Sequence, residues 1–224
     1  MTAEALARRR IRTPVLAVTA VAWAATLVVH TRPSHGMGGG HLMPAGPAAG
    51  WPLMLVAMMA PLLIPALRHA YAQSLPRRRW RAMTLLVAAA AAIWSAAWLI
   101  LRPIAGPLPL AVVLLAAVVW QVSPLKQRCL NRRHAHPALV AFDRAADVDA
   151  LRFGCRHAFW CVGSCWALML LPLAAGGWHL ALMAAVTLWI WAEQFDTPVR
   201  PTWRLRVPVR AARIIASGPR PVSF

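Results

Sequence analysis

Two groups of residues in this sequence carry the side chains of a soft-metal site. The first lies in the stretch HGMGGGHLM, whose potential ligands are His35, Met37, His41 and Met43. Imidazole and thioether donors without a carboxylate suit a soft ion such as Cu(I) and poorly suit Mg²⁺ or Ca²⁺. Glycine accepts backbone angles closed to other residues, so the glycines let a short loop fold around an ion. The alternative is a flexible polar linker whose histidines are simply solvated.

The second group repeats at four-residue intervals and consists of His157, Cys161, Cys165 and Met169. On an α-helix each step advances about 6 Å along the axis and about 40° around it. Neighbouring members therefore share a face, but all four cannot bind one ion. A Cys161/Cys165 pair completed from another helix could bind Cu(I) or Zn²⁺, because a cation neutralises thiolates that are costly in an apolar setting. The alternative is that the cysteines only pack.

Further methionines lie where they could complete such a site. They are Met54, Met58, Met59 and Met183. Methionine stripes are usually core filler, because the flexible thioether fills irregular gaps. Here they also permit a stepped route of sulfur and imidazole ligands from the outer loop toward Cys161.

The composition indicates that these residues sit in a membrane protein. The 224 residues have a mean hydropathy of +0.56, only 13% charged residues and 12 tryptophans. The net charge is +18, and the arginines that cause it lie between apolar runs and not on one soluble face. This distribution disfavours nucleic-acid binding and favours contact with anionic lipid. We expect an all-α, polytopic helix bundle whose six spans are Thr13–His30, Trp51–Leu67, Ala82–Leu101, Ile104–Val122, Ala158–Gly176 and Trp178–Phe195.

The basic residues predict the orientation. All but Arg32 and Arg102 of the 24 lysines and arginines fall on one side of a six-span arrangement. By the positive-inside rule, both termini are then cytoplasmic, and we expect the inner (cytoplasmic) membrane as the location. The predicted organisation is a basic N-terminus (1–12), a membrane domain (13–195) with an outer loop (30–50) and a cytoplasmic loop (123–157), and a basic tail (196–224).

Proline positions predict how the spans bend and end. Pro61 and Pro65 should kink the second span, because proline removes a backbone donor. The dipeptide Arg102–Pro103 should form the turn between the third and fourth spans. Pro137 should start a short surface helix that runs to about Leu151, separate from the fifth span.

Two further predictions concern charge and thiol chemistry. Glu193 is the only acid inside a predicted span, so it is either functional or paired with Arg156 or Arg200. The four cysteines do not resemble a disulfide framework, because two lie in charged connecting sequence and two in an apolar run.

Three stretches of the sequence resemble a bacterial family of predicted metal-binding integral membrane proteins that are often labelled copper chaperones. They are WPLMLVAMMAPLLIPAL, QVSPLKQRCL and GCRHAFWCVGSCWALMLLPLAAGGWHLALMAAVTLWIWAEQF, within Trp51 to Glu193. The resemblance implies a copper-handling role. The matching positions are Met54, Met58, Met59, His157, Cys161, Cys165, Trp166, Met169, Met183 and Glu193. Ser164 and Gln194 depart from the pattern, since relatives commonly have Cys and Lys there.

These observations lead to one functional hypothesis and two alternatives. We expect a protein without enzymatic activity that binds copper, as Cu(I), and passes it to or from a partner protein, with Zn²⁺ as the other possible ion. One alternative is a structural or assembly subunit of a membrane oxidase complex. The other is a membrane thiol oxidoreductase.

Overall fold

The described part of the chain is entirely helical. The structure is a computed structural model that describes residues 3–31, 47–140, 142–205 and 208. Within these residues there are eight α-helices and no strand. They are α1 (Ala3–Thr31), α2 (Pro47–Met59), α3 (Ile64–Gln73), α4 (Arg79–Ala105), α5 (Leu110–Val122), α6 (Pro124–Arg133), α7 (Asp143–Ala174) and α8 (His179–Glu193).

Four segments of these helices are long and apolar enough to cross a membrane. They are Arg9–His30, Gly50–Gln73, Arg79–Ala105 and Asp143–Ala174. Helices α5 and α6 would form a fifth if this pair, bent by 66°, counts as one span. Helix α8 has only 15 residues. The all-helical fold is therefore confirmed for the described residues, whereas six spans and cytoplasmic termini stay predictions.

The proline positions confirm one expectation and correct another. The predicted kink near Pro61 is present as a 3₁₀ segment, Ala60–Leu63, between α2 and α3. The predicted turn at Arg102–Pro103 is wrong, because α4 continues through Pro103 to Ala105. Proline in a last helical turn loses a single hydrogen bond, and the helix stops two residues later.

Helix α7 corrects the expected boundary between a surface helix and the fifth span. The expected start at Pro137 is wrong, because residues 134–140 are not helical and α7 runs without interruption from Asp143 to Ala174. Asp147, in the first turns of α7, forms ion pairs with Arg78 (3.5 Å) and Arg81 (2.7 Å) beside the start of α4. Charges on the first half of α7 therefore dock it on a neighbouring helix and not flat on lipid.

Close packing of α4 against α7 forms the centre of the molecule. At Gly154 of α7, an added Cβ would lie 2.6 Å from the Leu86 carbonyl oxygen and 2.9 Å from the Ala89 Cβ. The close approach of the α4 backbone therefore requires glycine at this position. The same contact explains why α7 continues through Gly154, although glycine weakens a helix.

Indole N–H groups connect other helices to one another. Trp23 of α1 donates to the Ala57 carbonyl (3.0 Å), Trp120 of α5 to Gly163 (3.1 Å), and Trp191 of α8 to Met58 (2.9 Å). A buried indole requires a partner for its N–H, and a hydrogen bond to another helix fixes their relative position.

The outer surfaces of α1, α4 and α5 are apolar. Val21 is 68% exposed, Leu99 66% and Leu115 65%. Large side chains of this kind form extended apolar faces only where lipid or another protein covers them. By contrast, 61% of the spanning window of α7, and the same share of the α2–α3 window, is buried inside the protein. Apart from Met183 on α8, the candidate ligands within the described residues lie on these inner helices.

Candidate metal centre

The two predicted thiols lie together in the core on α7. Cys161 is 0% exposed and Cys165 is 1% exposed. Cys165 Sγ lies 3.0 Å from the carbonyl oxygen of Cys161 and 3.7 Å from Met169 Sδ. All four cysteines of the chain are within the described residues and are free thiols, as the sequence predicted. The four-residue spacing thus brings the sulfurs of Cys165 and Met169 into contact and places Cys161 one turn before them on the same side of α7.

The sulfur geometry fits a soft metal ion. Metal–sulfur bonds of about 2.3 Å let two sulfurs share one ion at any separation up to about 4.6 Å. The 3.7 Å between Cys165 Sγ and Met169 Sδ lies inside that limit. Thiolate and thioether together are the donors that Cu(I) prefers. Cys161, one turn away, supplies the second thiol.

The predicted methionine ligands of the other helices are buried in the same core. Met54, Met58 and Met59 of α2 are 2%, 1% and 0% exposed, and Met183 of α8 is 0% exposed. These four side chains, Cys161, Cys165 and Met169 belong to one continuous cluster of buried residues. Beside this cluster, the hydrogen bond from Trp191 to the Met58 carbonyl fixes α8 against α2. Their role as ligands stays a prediction.

His157 stands apart from the sulfur group. It is 5% exposed, and neither ring nitrogen has a hydrogen-bond partner within the described residues. Its ring packs edge-on against Phe153, which in turn contacts His69 and His136. In the part of the chain that the structure describes, no three His, Cys, Asp or Glu side chains converge on one point. A site at Cys161 and Cys165 therefore depends on thioether ligands. This agrees with the rotation of about 40° per four-residue step, which accumulates to about 120° between His157 and Met169.

A buried ion pair lies beside the thiols. Lys126 of α6 pairs with Glu193 of α8, and each residue is 5% exposed. The same carboxylate oxygen also accepts hydrogen bonds from Gln121 Nε2 (3.0 Å) and Trp189 Nε1 (2.7 Å). The expected partners of Glu193, Arg156 and Arg200, are thus wrong. Lys126 is the only lysine in the sequence, and this rarity is the signal from which the sequence could have indicated a special role for it.

A pair of histidines at the opposite end of α7 was not connected by sequence reasoning. His30, at the end of α1, stacks on His179 with ring centroids 5.3 Å apart. His30 Nδ1 contacts the Thr26 carbonyl (2.8 Å), and His179 Nδ1 contacts the Pro172 carbonyl (2.7 Å). A carbonyl at Nδ1 fixes the tautomer that leaves the Nε2 lone pair free, which is the usual arrangement of metal-binding histidines.

The predicted capture loop cannot be placed beside this pair. His35, Met37, His41 and Met43 lie outside the described residues. Their part in metal binding stays a prediction from the sequence.

Comparison with known families bears on the choice between the expected classes of protein. A family model described as PpoB2, copper chaperone, matches residues 48–207, more than half of the chain. The chain belongs to this family. The match confirms the resemblance seen in the sequence and supports a copper-related function. No curated protein and no solved structure matches the chain.

The range of the family match also separates the two candidate ligand groups. Residues 48–207 include all of the buried sulfur residues and His157, whereas the loop from His35 to Met43 lies outside it. The family match therefore covers the α7 group and does not cover the loop.

Proposed function

We propose that the protein is an integral membrane protein that binds Cu(I) and passes it to or from a partner protein. The observation that carries this proposal is the sulfur group of α7, where Cys161, Cys165 and Met169 form a contiguous set in a fully buried core. Membership of a copper chaperone family supports the choice of ion. Burial away from water and oxidants also favours the reduced ion, because thiols bound to a metal in a dry site are protected from oxidation.

Soft donors along α7 support transfer in addition to storage. His157, Cys161, Cys165 and Met169 follow one another at about 6 Å intervals along the helix axis. His179 contacts the Pro172 carbonyl near the far end, and His69 and His136 contact Phe153 near the other. The rise from Phe153 to Pro172 is about 28 Å, close to the thickness of the hydrocarbon core of a bilayer. Imidazole and thioether ligands exchange readily, so an ion could move between such positions.

Metal analysis of purified protein tests the proposal. The full chain is purified in detergent with reductant, loaded with Cu(I), and copper per chain is measured together with the affinity in competition with a Cu(I) chelator. The decisive variant is Cys161→Ser/Cys165→Ser. The matched control is Cys129→Ser/Cys155→Ser, because these two thiols lie outside the sulfur group and Cys155 is exposed.

We expect the unmodified protein and the control to bind copper stoichiometrically and the Cys161/Cys165 variant to lose this binding. Met169→Leu should weaken Cu(I) binding without abolishing it, whereas Met83→Leu, also buried but outside the predicted set, should leave the affinity unchanged. Equal loss in both cysteine variants contradicts the proposed site. Absence of copper in the unmodified protein favours an assembly subunit, and redox-dependent labelling of thiols without bound metal favours an oxidoreductase. Parallel loading with Zn²⁺ tests the alternative ion.

Variants of the outer loop test capture separately. We propose that His35, Met37, His41 and Met43 bind the ion first, because a glycine-rich loop can rearrange around it. Replacing the four by alanine should slow loading of Cys161 and Cys165 from a Cu(I) donor without changing the final copper content. An unchanged loading rate contradicts this role for the loop.

A further inference from the structure

Arg133, at the end of α6, carries a buried charge that forms no ion pair within the described residues. The residue is 3% exposed, and within the described residues neither Nη1 nor Nη2 has a hydrogen-bond partner. An ionised guanidinium cannot lose its charge in a protein, and a buried charge without a partner is strongly destabilising. Such a group requires a negative charge nearby in the functional state.

The side chain of Arg133 acts on the sulfur group. Helix α6 packs on α7 at the level of the thiols, since Arg132 lies 4.8 Å from the Trp160 ring and a Cβ added at Gly163 would lie 2.9 Å from Cys129 Sγ. Arg133 interacts electrostatically with Cys161, Cys165 and His157, and both its guanidinium and the indole N–H of Trp94 are directed at the Cys161 sulfur. Neither Nη1 or Nη2 of Arg133 nor Nε1 of Trp94 has another acceptor within the described residues. Two buried donors therefore favour negative charge at one sulfur.

The buried charges allow the metal's charge to be deduced. Within the described residues, the buried side chains that carry a fixed charge are Lys126, Arg133 and Glu193. Lys126 and Glu193 neutralise each other, so Arg133 leaves one net positive charge in the core. When Cys161 and Cys165 bind a metal ion, both thiols release their protons to solvent and together contribute two negative charges. A monovalent ion then gives a group of net charge −1, which Arg133 neutralises. A divalent ion gives a neutral group and leaves Arg133 uncompensated.

We propose that Arg133 is the counter-charge of a bis-thiolate site at Cys161 and Cys165, and that it makes this site select monovalent over divalent soft ions. This inference rests on the proposed function, because it takes the two thiols as the ligands. It goes further in assigning charge selectivity to a residue that does not bind the metal. Arg133 is thus a positioning and selectivity residue, and Trp94 assists by directing its N–H toward the Cys161 sulfur.

Isoelectronic pairs of ions isolate the effect of charge. Cu(I) and Zn²⁺ have the same electron count, as do Ag(I) and Cd²⁺, and the second pair needs no control of redox state. Affinities of all four ions are measured in detergent for the unmodified protein, Arg133→Met and Arg133→Lys. The matched control is Arg132→Met, since Arg132 neighbours Arg133 on α6 but is exposed and stacks on Trp160.

We expect the Arg133→Met variant to bind Cu(I) and Ag(I) more weakly and Zn²⁺ and Cd²⁺ more tightly, each by on the order of tenfold. Arg133→Lys and Arg132→Met should keep the preference of the unmodified protein. The metal-free Arg133→Met variant should also be at least as stable to heat as the unmodified protein, because it loses an uncompensated buried charge.

The outcomes separate this inference from the proposed function. If affinities for monovalent and divalent ions change in the same direction, or do not change, Arg133 is not a charge selector even though copper binds. If Arg133→Met fails to fold, the charge is already neutralised in the metal-free protein and the inference is overturned. If the unmodified protein binds none of the four ions, the proposed function itself is refuted.

Discussion

Breaking the Lys126–Glu193 pair should destabilise the protein far more than breaking a surface pair. Glu193→Gln removes the carboxylate charge and leaves the Lys126 ammonium in a core where it is 5% exposed. Removing one partner of a buried ion pair costs about 3–5 kcal/mol, because the remaining charge loses both water and its counter-ion. The matched change is Asp147→Asn, which breaks the ion pairs to Arg78 and Arg81, whose side chains are 27% and 64% exposed. Each such pair contributes no more than about 1 kcal/mol.

The double variant Lys126→Met/Glu193→Met separates the charge effect from lost packing. It removes both charges of the pair, but the Gln121 amide and the Trp189 indole lose their acceptor, which costs about 1 kcal/mol for each hydrogen bond. We therefore expect the double variant to lose about 2 kcal/mol, less than the Glu193→Gln variant.

Equilibrium unfolding in mixed micelles measures these differences. The free energy of unfolding is obtained for each variant by increasing the fraction of denaturing detergent. The reasoning is refuted if Glu193→Gln costs no more than Asp147→Asn, or if the double variant is less stable than the Glu193→Gln variant. The first result would mean that water reaches the pair, and the second that Lys126 and Glu193 stabilise the fold independently.

Two further predictions concern packing and pH. Gly154→Ala should lower the free energy of unfolding by about 1–3 kcal/mol, because the new Cβ overlaps the Leu86 carbonyl. Gly177→Ala, which has open space around it, should change this free energy little. Thermal unfolding of the two variants measures the difference. Burial, together with the charge of Arg133, lowers the pKa of His134 in the folded protein. As pH falls, His134 is therefore protonated at a higher pH in the unfolded chain than in the folded protein. Stability should therefore decrease as pH drops below about 6.5, and His134→Gln should reduce that slope; an unchanged slope would contradict the assignment.

The sequence was sufficient to predict the helical class and the faces that carry sulfur. The four-residue spacing from His157 to Met169 predicted contacts between neighbouring members, and Cys165 and Met169 are in contact. The prolines of the second span predicted its irregular segment. These are local properties, set by helical periodicity and by the missing N–H of proline, and they do not depend on which helices become neighbours.

What the sequence did not predict depends on long-range packing. The partner of Glu193 comes from α6 and not from the arginines nearest along the chain. The stacking of His30 on His179 joins the two ends of the described fold. Periodicity indicates which face of a helix is buried but not which helix covers it. The continuity of α7 was missed for a related reason, since Asp147 in its first half pairs with Arg78 and Arg81 beside α4, a contact that no local pattern indicates.

The burial of the thiols constrains how an ion could be handed over under the proposed function. Cys161 and Cys165 are 0% and 1% exposed, so no partner protein can touch their sulfurs while the fold is intact. Copper must therefore enter and leave through intermediate ligands within the protein. Two residues are suited to this step. They are His157, one turn of α7 before Cys161, and His179, which contacts the Pro172 carbonyl near the end of α7, and each has a buried ring nitrogen without a partner among the described residues. A direct exchange between Cys161 and an external thiol would require α7 to separate from α4, and the contact at Gly154 opposes that opening.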